Sequence, residues 1–292
     1  MVSKEKGIYI HIPFCDSICP YCDFAVFKTS HQDLFEPLVN AICHELSLKQ
    51  HYLEKDTLIS SIYFGGGTPS LLSASFLKRI LVCIQQYFTF SNQIEITIEA
   101  NPKHLHHQTI ENYLEIGINR FSIGIQSFQD HELYFLGRKH CANDVEKLVY
   151  KILPSFPSLN WSLDLIFGLN NQTLAHLEQN LDCAANSSAK HISLYALTIE
   201  EHSIFGKLEK KGFTFSADSD FQAECMEHIQ NYFENSHFFQ YEVSNYSKKD
   251  YHSKHNSLYW HGGQFLGLGP GAWSFWIEPL FQNGCRSGNP RH

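Results

Sequence analysis

The chain has 292 residues, of which 43% are apolar and 18% charged, so it is no disordered polymer, and its length suits one large domain or two smaller ones. A formal net charge of −8, with 22 Lys and Arg, leaves no basic surplus to hold nucleic acid. Nine irregularly spaced cysteines in a chain this long do not make a disulfide framework. The first residues, Met1 to Lys6, are charged, and His11 and Pro13 interrupt the apolar run that a secretion signal would need. No run of ~18 uninterrupted apolar residues occurs, so no membrane-spanning helix is expected. The expectation is a cytoplasmic protein with reduced thiols.

In chain order, strand candidates fall at Gly7–Ile12, Ser60–Phe64, Ile94–Glu99, Arg120–Gln126, Ser162–Phe167 and His191–Leu197, mostly with the Ile, Tyr, Phe and Leu content of buried strands. Amphipathic segments lie between them. Phe35, Leu38, Val39, Ile42, Cys43 and Leu46 repeat at helical spacing, as do Phe76, Leu77, Ile80, Leu81 and Ile84. A third helix near Thr109–Ile116 should stop at Gly117. Further helices are expected over Val145–Leu153 and Leu174–Ala185, and another near Asp218–Glu234.

Such alternation predicts right-handed βαβ units and a parallel α/β sheet. Six units suit a partial (β/α)6 TIM-like barrel, with a doubly wound open sheet as the alternative. In either, ligands gather at the carboxyl ends of the strands. There the sequence is chemically unusual: HIPFC, GGGTPS, EANP, QSF and DLIFG follow or end five of the strands. The barrel is assigned to residues 1–200. Residues 201–292 form an α+β extension with less regular patterning.

Cys15, Cys19 and Cys22 form C-x3-C-x2-C directly after the first strand. Three soft thiolates within eight residues can wrap one small metal centre, and a [4Fe–4S] cube so held keeps one iron open for a chelating ligand. A zinc site completed by His11 or a distant residue, or thiols with no shared role, are the alternatives. Cys43 and Cys83 sit beside apolar helical stripes, as core residues do, while Cys141, Cys183, Cys225 and Cys285 have no near partner in sequence. His104, His106 and His107 read as a solvated surface.

HIPFCDSICPYC in this position resembles the radical S-adenosylmethionine (SAM) superfamily. GGGTPS, EANP, GINRFSIGIQS, LGRKH, DLIFG, HISLYALTIE, YEVSNY and HNSLYW, from about Tyr9 to about Trp273, narrow the resemblance to the oxygen-independent coproporphyrinogen dehydrogenases and HemW-type heme chaperones. The resemblance implies a [4Fe–4S] cluster on Cys15, Cys19 and Cys22, whose fourth iron S-adenosylmethionine chelates. Tyr9, Tyr21, Gly66, Gly67, Thr68, Glu99, Gln126, Arg138 and Asp164 match family positions that contact S-adenosylmethionine. Taken singly, Glu99, Gln126, Arg138 and Asp164 each read as an ordinary salt-bridge or capping group.

Two departures choose between the relatives. The dehydrogenases carry a fourth cysteine where this chain has Phe24, and an N-terminal extension where eight residues precede Tyr9. Conversely, His255, Tyr259 and Trp260 complete the HNxxYW signature of the chaperones, which offers an imidazole for heme iron and flat apolar surface for a porphyrin. The axial ligand could also lie elsewhere, and a locally hydrogen-bonded His beside core aromatics fits the same letters. The expected function is a HemW-like heme chaperone that binds cluster, S-adenosylmethionine and heme. Its expected partners are a heme-acceptor protein and a one-electron donor such as a flavodoxin or ferredoxin, with no nucleic acid and membrane contact only through an acceptor. Oxidative decarboxylation of coproporphyrinogen III is the enzymatic alternative, and a zinc-stabilised binding protein the third. Relatives continue past GLGPGAWSF into a further domain, so the extension reads as truncated.

Overall fold

Each apolar run between Gly-, Pro- and Asn-rich turns becomes a buried strand. The computed structural model describes residues 6–29, 31–54, 57–277 and 284–289. Strands β1 (Lys6–Ile12), β2 (Leu58–Gly66), β3 (Thr89–Ala100), β4 (Arg120–Gln126), β5 (Asn160–Phe167) and β6 (His191–Ala196) lie side by side in chain order, all parallel. A doubly wound sheet would reverse its order beside the first strand. Here the order runs on without reversal through six units, as the partial barrel requires.

Helices α1 (Phe35–Lys49), α2 (Ala74–Gln85) and α3 (His107–Glu115) cover the sheet with the predicted stripes: α1 buries Phe35, Val39, Ile42 and Leu46, and α2 buries Leu77, Ile80, Leu81 and Ile84. Gly117 follows α3 at φ +97°, a left-handed stop that a Cβ would resist. α4 (Asp130–Phe135) escapes the periodic reading because it is short and turns only Glu132 and Leu133 inward. The helix expected over Val145–Leu153 is instead α5 (Ala142–Lys147), widening to a π turn at Leu148–Ile152 and a 3-10 turn at Leu153–Ser155. Pro154 has no amide hydrogen to continue the ladder. α6 (Leu174–Ala185) has the expected bounds, and Thr173 caps it by accepting from the His176 amide.

After α7 (Ile204–Glu209) and α8 (Ser219–Glu234), the chain adds strands to both edges of the same sheet. β7 (Phe239–Gln240) and β8 (Asn245–Ser247) extend the β6 edge antiparallel. Helix α9 (Lys254–Trp260), which sequence periodicity did not reveal, then leads to β9 (Gln264–Leu268), parallel to β1. β10 (Trp273–Ile277) and β11 (Gly284–Gly288) follow antiparallel. Phe233, Tyr246, Leu266 and Leu268 belong to the same apolar core as Ile8, Ile62 and Ile123, so the core crosses residue 200 without a break. Among the described residues no helix is long and apolar enough to cross a membrane.

Candidate cofactor site at the strand ends

Beyond Ile12 the chain closes a loop: Phe14–Cys15 pairs in parallel with Phe27–Lys28, with Cys15 in the first segment and Cys19 and Cys22 in the loop between them. The glycine turn after β2 is stitched to this loop, since Gly67 N donates to Ile12 O at 2.8 Å and Thr68 N to Phe14 O at 2.8 Å. Thr68 Oγ1 reaches Cys15 Sγ at 3.5 Å, and Arg138 Nη1 reaches Cys19 Sγ at 3.3 Å. All three cysteines line one cavity of about 460 Å³, together with Tyr21, Gly66, Gly67, Thr68, Glu99, Gln126, Arg138 and Asp164. Burial pushes the Cys15 thiol up, and the Cys22 thiol up to about 11, so ligation of a metal by these groups must displace protons.

Glycine is required at two of these positions. Gly66 has φ +111°, and a Cβ there would lie 2.6 Å from the His11 ring. A Cβ on Gly67 would meet Phe14 O at 2.7 Å and Cys15 Sγ at 3.0 Å. The bare turn therefore lets backbone pass close under the cysteine loop.

Acceptors project from the neighbouring strands. Glu99 Oε1 accepts from Tyr63 OH at 3.0 Å and Oε2 from Gly66 N at 3.0 Å. Burial, the largest effect, lifts its carboxyl to about 7 against those hydrogen bonds. Asp164 is likewise raised by burial; its Oδ2 accepts from Ser122 Oγ at 2.8 Å, while its buried Oδ1 has no partner. Arg138 donates through Nη2 to Gly124 O at 2.7 Å, and its buried Nε is also unpaired. Gln126 holds φ +68° where the β4–β5 register slips by a bulge, an unusual conformation for a residue with a side chain. Unpaired buried groups of both kinds, a glycine floor and three thiols suit a polar ligand carrying amino, carboxylate and hydroxyl groups beside a metal cluster.

Tyr9, His255, Tyr259 and Trp260 are not part of this cavity's lining. Tyr9 does not reach this cavity: its ring stacks on Tyr63 at 6.0 Å, and Tyr63 takes the cavity wall in its place. Tyr9 faces a second cavity of about 310 Å³ with His11, Phe24, Tyr259, Phe265 and Trp273. His255 is 1% exposed and both ring nitrogens are engaged, Nδ1 with Ser61 Oγ at 2.9 Å and Nε2 with Tyr259 OH at 2.8 Å. Burial lowers it to about 3, so it is neutral, and it has no free lone pair for iron in this arrangement. Tyr259 is part-exposed and Trp260 is 62% exposed. Tyr63, Ser122 and Tyr195, which also line the main cavity, were missed. Their signal was present: polar residues at every second position of otherwise apolar strands face the barrel interior.

Residues 9–184 match the Radical SAM superfamily. The chain is 37% identical over 288 residues to the heme chaperone HemW of Synechocystis sp., covering 97% of this chain and 68% of that protein. HemW of Bacillus subtilis is 37% identical over 268 residues, covering 91% and 70%. Among solved structures, coproporphyrinogen III oxidase (HemN) of Escherichia coli superposes with a TM-score of 0.81 at 19% identity, over 99% of this chain and 68% of that one, which shows the fold. Fold and site thus define a radical SAM protein, a class that binds a [4Fe–4S] cluster and S-adenosylmethionine. Within that class the chain belongs to the HemW family.

Proposed function

We propose that this chain is a heme chaperone of the HemW type, which binds a [4Fe–4S] cluster, S-adenosylmethionine and heme and delivers the heme to an acceptor protein. The observation that carries this reading is the 33–38% identity to HemW proteins of seven bacteria, sustained over at least 91% of this chain. Phe24 supports it, since a 68% exposed ring stands at the rim of both cavities where the dehydrogenases have a thiol.

Cys15, Cys19 and Cys22 would hold the cluster, which supplies one-electron chemistry to a bound sulfonium. Gly66, Gly67 and Thr68 would bring backbone against the ligand, Glu99 and Asp164 would accept from its hydroxyl and amino groups, and Arg138 would hold a carboxylate through its unpaired Nε. Tyr21 and Gln126 complete the wall. Arg138 also sets its guanidinium against the Cys19 sulfur, which fixes that side of the cysteine loop. Heme is assigned to the exposed Tyr259 and Trp260 face, with His255 as the internal support of that helix rather than an iron ligand. A flavodoxin or ferredoxin would reach the cluster loop on its open side, where Asp16 and Phe24 are exposed. The cytoplasm is the proposed compartment.

The test is transfer. Heme-loaded protein mixed with a heme-free b-type cytochrome should lose its heme to the cytochrome, read from the Soret band. Trp260→Ala should weaken heme binding, whereas His255→Gln should keep the wild-type Soret position. A Soret shift with His255→Gln would make that residue the iron ligand, and no transfer at all would refute the chaperone reading.

A further inference from the structure

Outside the cofactor cavity, α4 and the first turn of α6 bring His131, Glu132 and His176 together, with one ligand atom from each within 4.8 Å of the others. The two imidazole rings lie 4.8 Å apart, edge to face at 62°. Glu132 is only 2% exposed. Its Oε2 is filled by Ser127 Oγ and Asn180 Nδ2 (2.8 Å), but Oε1 accepts only from Gln172 Nε2 at 2.8 Å, so one lone pair stays open. Among the described residues no Lys or Arg forms an ion pair with Glu132. His176 Nδ1 is buried and has no hydrogen-bond partner. A buried carboxylate without a cation and a buried imidazole nitrogen without a donor are both costly, and one bound cation relieves both.

We infer that His131, Glu132 and His176 form a second metal site, for a borderline divalent ion of the zinc type. Two imidazoles and one carboxylate are the ligand set such ions favour, and calcium or magnesium would want oxygens instead. None of the three residues lines the cysteine cavity. Glu132 also fastens Ser127, which follows Gln126, and α4 leads into Arg138, so the ion would brace the segment between two cofactor-cavity residues. This inference does not depend on the heme reading.

Untagged protein with its cluster reconstituted is dialysed against micromolar Zn2+, and zinc, iron and sulfide are counted per chain. The expected result is zinc bound in addition to a full complement of iron. His131→Ala and His176→Ala should each lower zinc affinity at least tenfold while leaving iron and sulfide unchanged. His131 is exposed, so its variant should fold normally, and the surface pair change His106→Ala, His107→Ala should leave the zinc count as it is. Zinc should also raise the thermal midpoint of the wild type and not of His131→Ala. Zinc bound equally by wild type and both variants, zinc gained only as iron is lost, or no zinc bound would each overturn the site.

Discussion

Burial lifts the Glu99 carboxyl to about 7 from an ordinary 4.5, and the direction fixes a pH dependence. A group raised in the folded state binds its proton more tightly there than when unfolded. Its contribution to stability is complete below 4.5 and is lost as pH rises to about 7. The thermal midpoint of Glu99→Gln relative to wild type should therefore climb across that window and be level above it. Flat parallel curves would refute the assignment. Donors from a ligand favour the ionised carboxylate, so S-adenosylmethionine affinity should rise with pH through the same range. Asp164→Asn should weaken that affinity by roughly ten- to a hundredfold, the worth of about 1.5–3 kcal/mol for a hydrogen bond to a charged group, with cluster iron unchanged. Isothermal titration checks both. That Glu99, Asp164 and Arg138 line one cavity was legible because each sits in or at the end of a strand or in a motif. That Tyr63 rather than Tyr9 lines that cavity was not, because strand letters fix which face a residue takes but not which of two stacked rings reaches the cavity wall.

At the scale of elements, α9 shows how the HNxxYW segment is held. Glu95 on β3 accepts from the backbone amides of Lys254 and His255, both at 3.1 Å, and so satisfies the first turn of the helix. Buried Arg120 lies 4.0 Å from the same carboxylate. Glu95→Ala would leave two amides and a buried guanidinium without their anion, a loss of about 3–5 kcal/mol in stability. Denaturant unfolding should show that loss, and a change below about 1 kcal/mol would mean that α9 docks by apolar contact alone. The six parallel strands and the helices α1, α2, α3 and α6 were readable because apolar residues repeat at periods of two or 3.6. α9 was not: its buried residues are only His255 and Leu258, while Tyr259 and Trp260 keep 42% and 62% of their surface exposed. The Glu95 cap joins residues 159 positions or more apart, and no local pattern carries such a contact.

Across the whole molecule, the segment after residue 200 lies at both edges of one sheet, β7 and β8 beside β6 and β9 to β11 beside β1. Sequence reading separated a barrel from an extension because periodicity weakens there. The continuous core follows from strand pairing over long separations, as between Gly7 and Phe265. Tyr259 and Trp260 do not line the cysteine cavity, so on the proposed reading a heme held there would leave that cavity open for the cluster and its ligand. The decisive measurement is anaerobic reconstitution followed by counting iron, sulfide and heme per chain, with coproporphyrinogen III and S-adenosylmethionine added under reducing conditions. The account predicts iron and sulfide in equal amounts, bound heme, and no protoporphyrinogen. Replacing Cys15, Cys19 and Cys22 together with Ala should remove the iron–sulfur absorbance and spare heme binding. Turnover of coproporphyrinogen that depends on S-adenosylmethionine, in a protein that binds no heme, would contradict it.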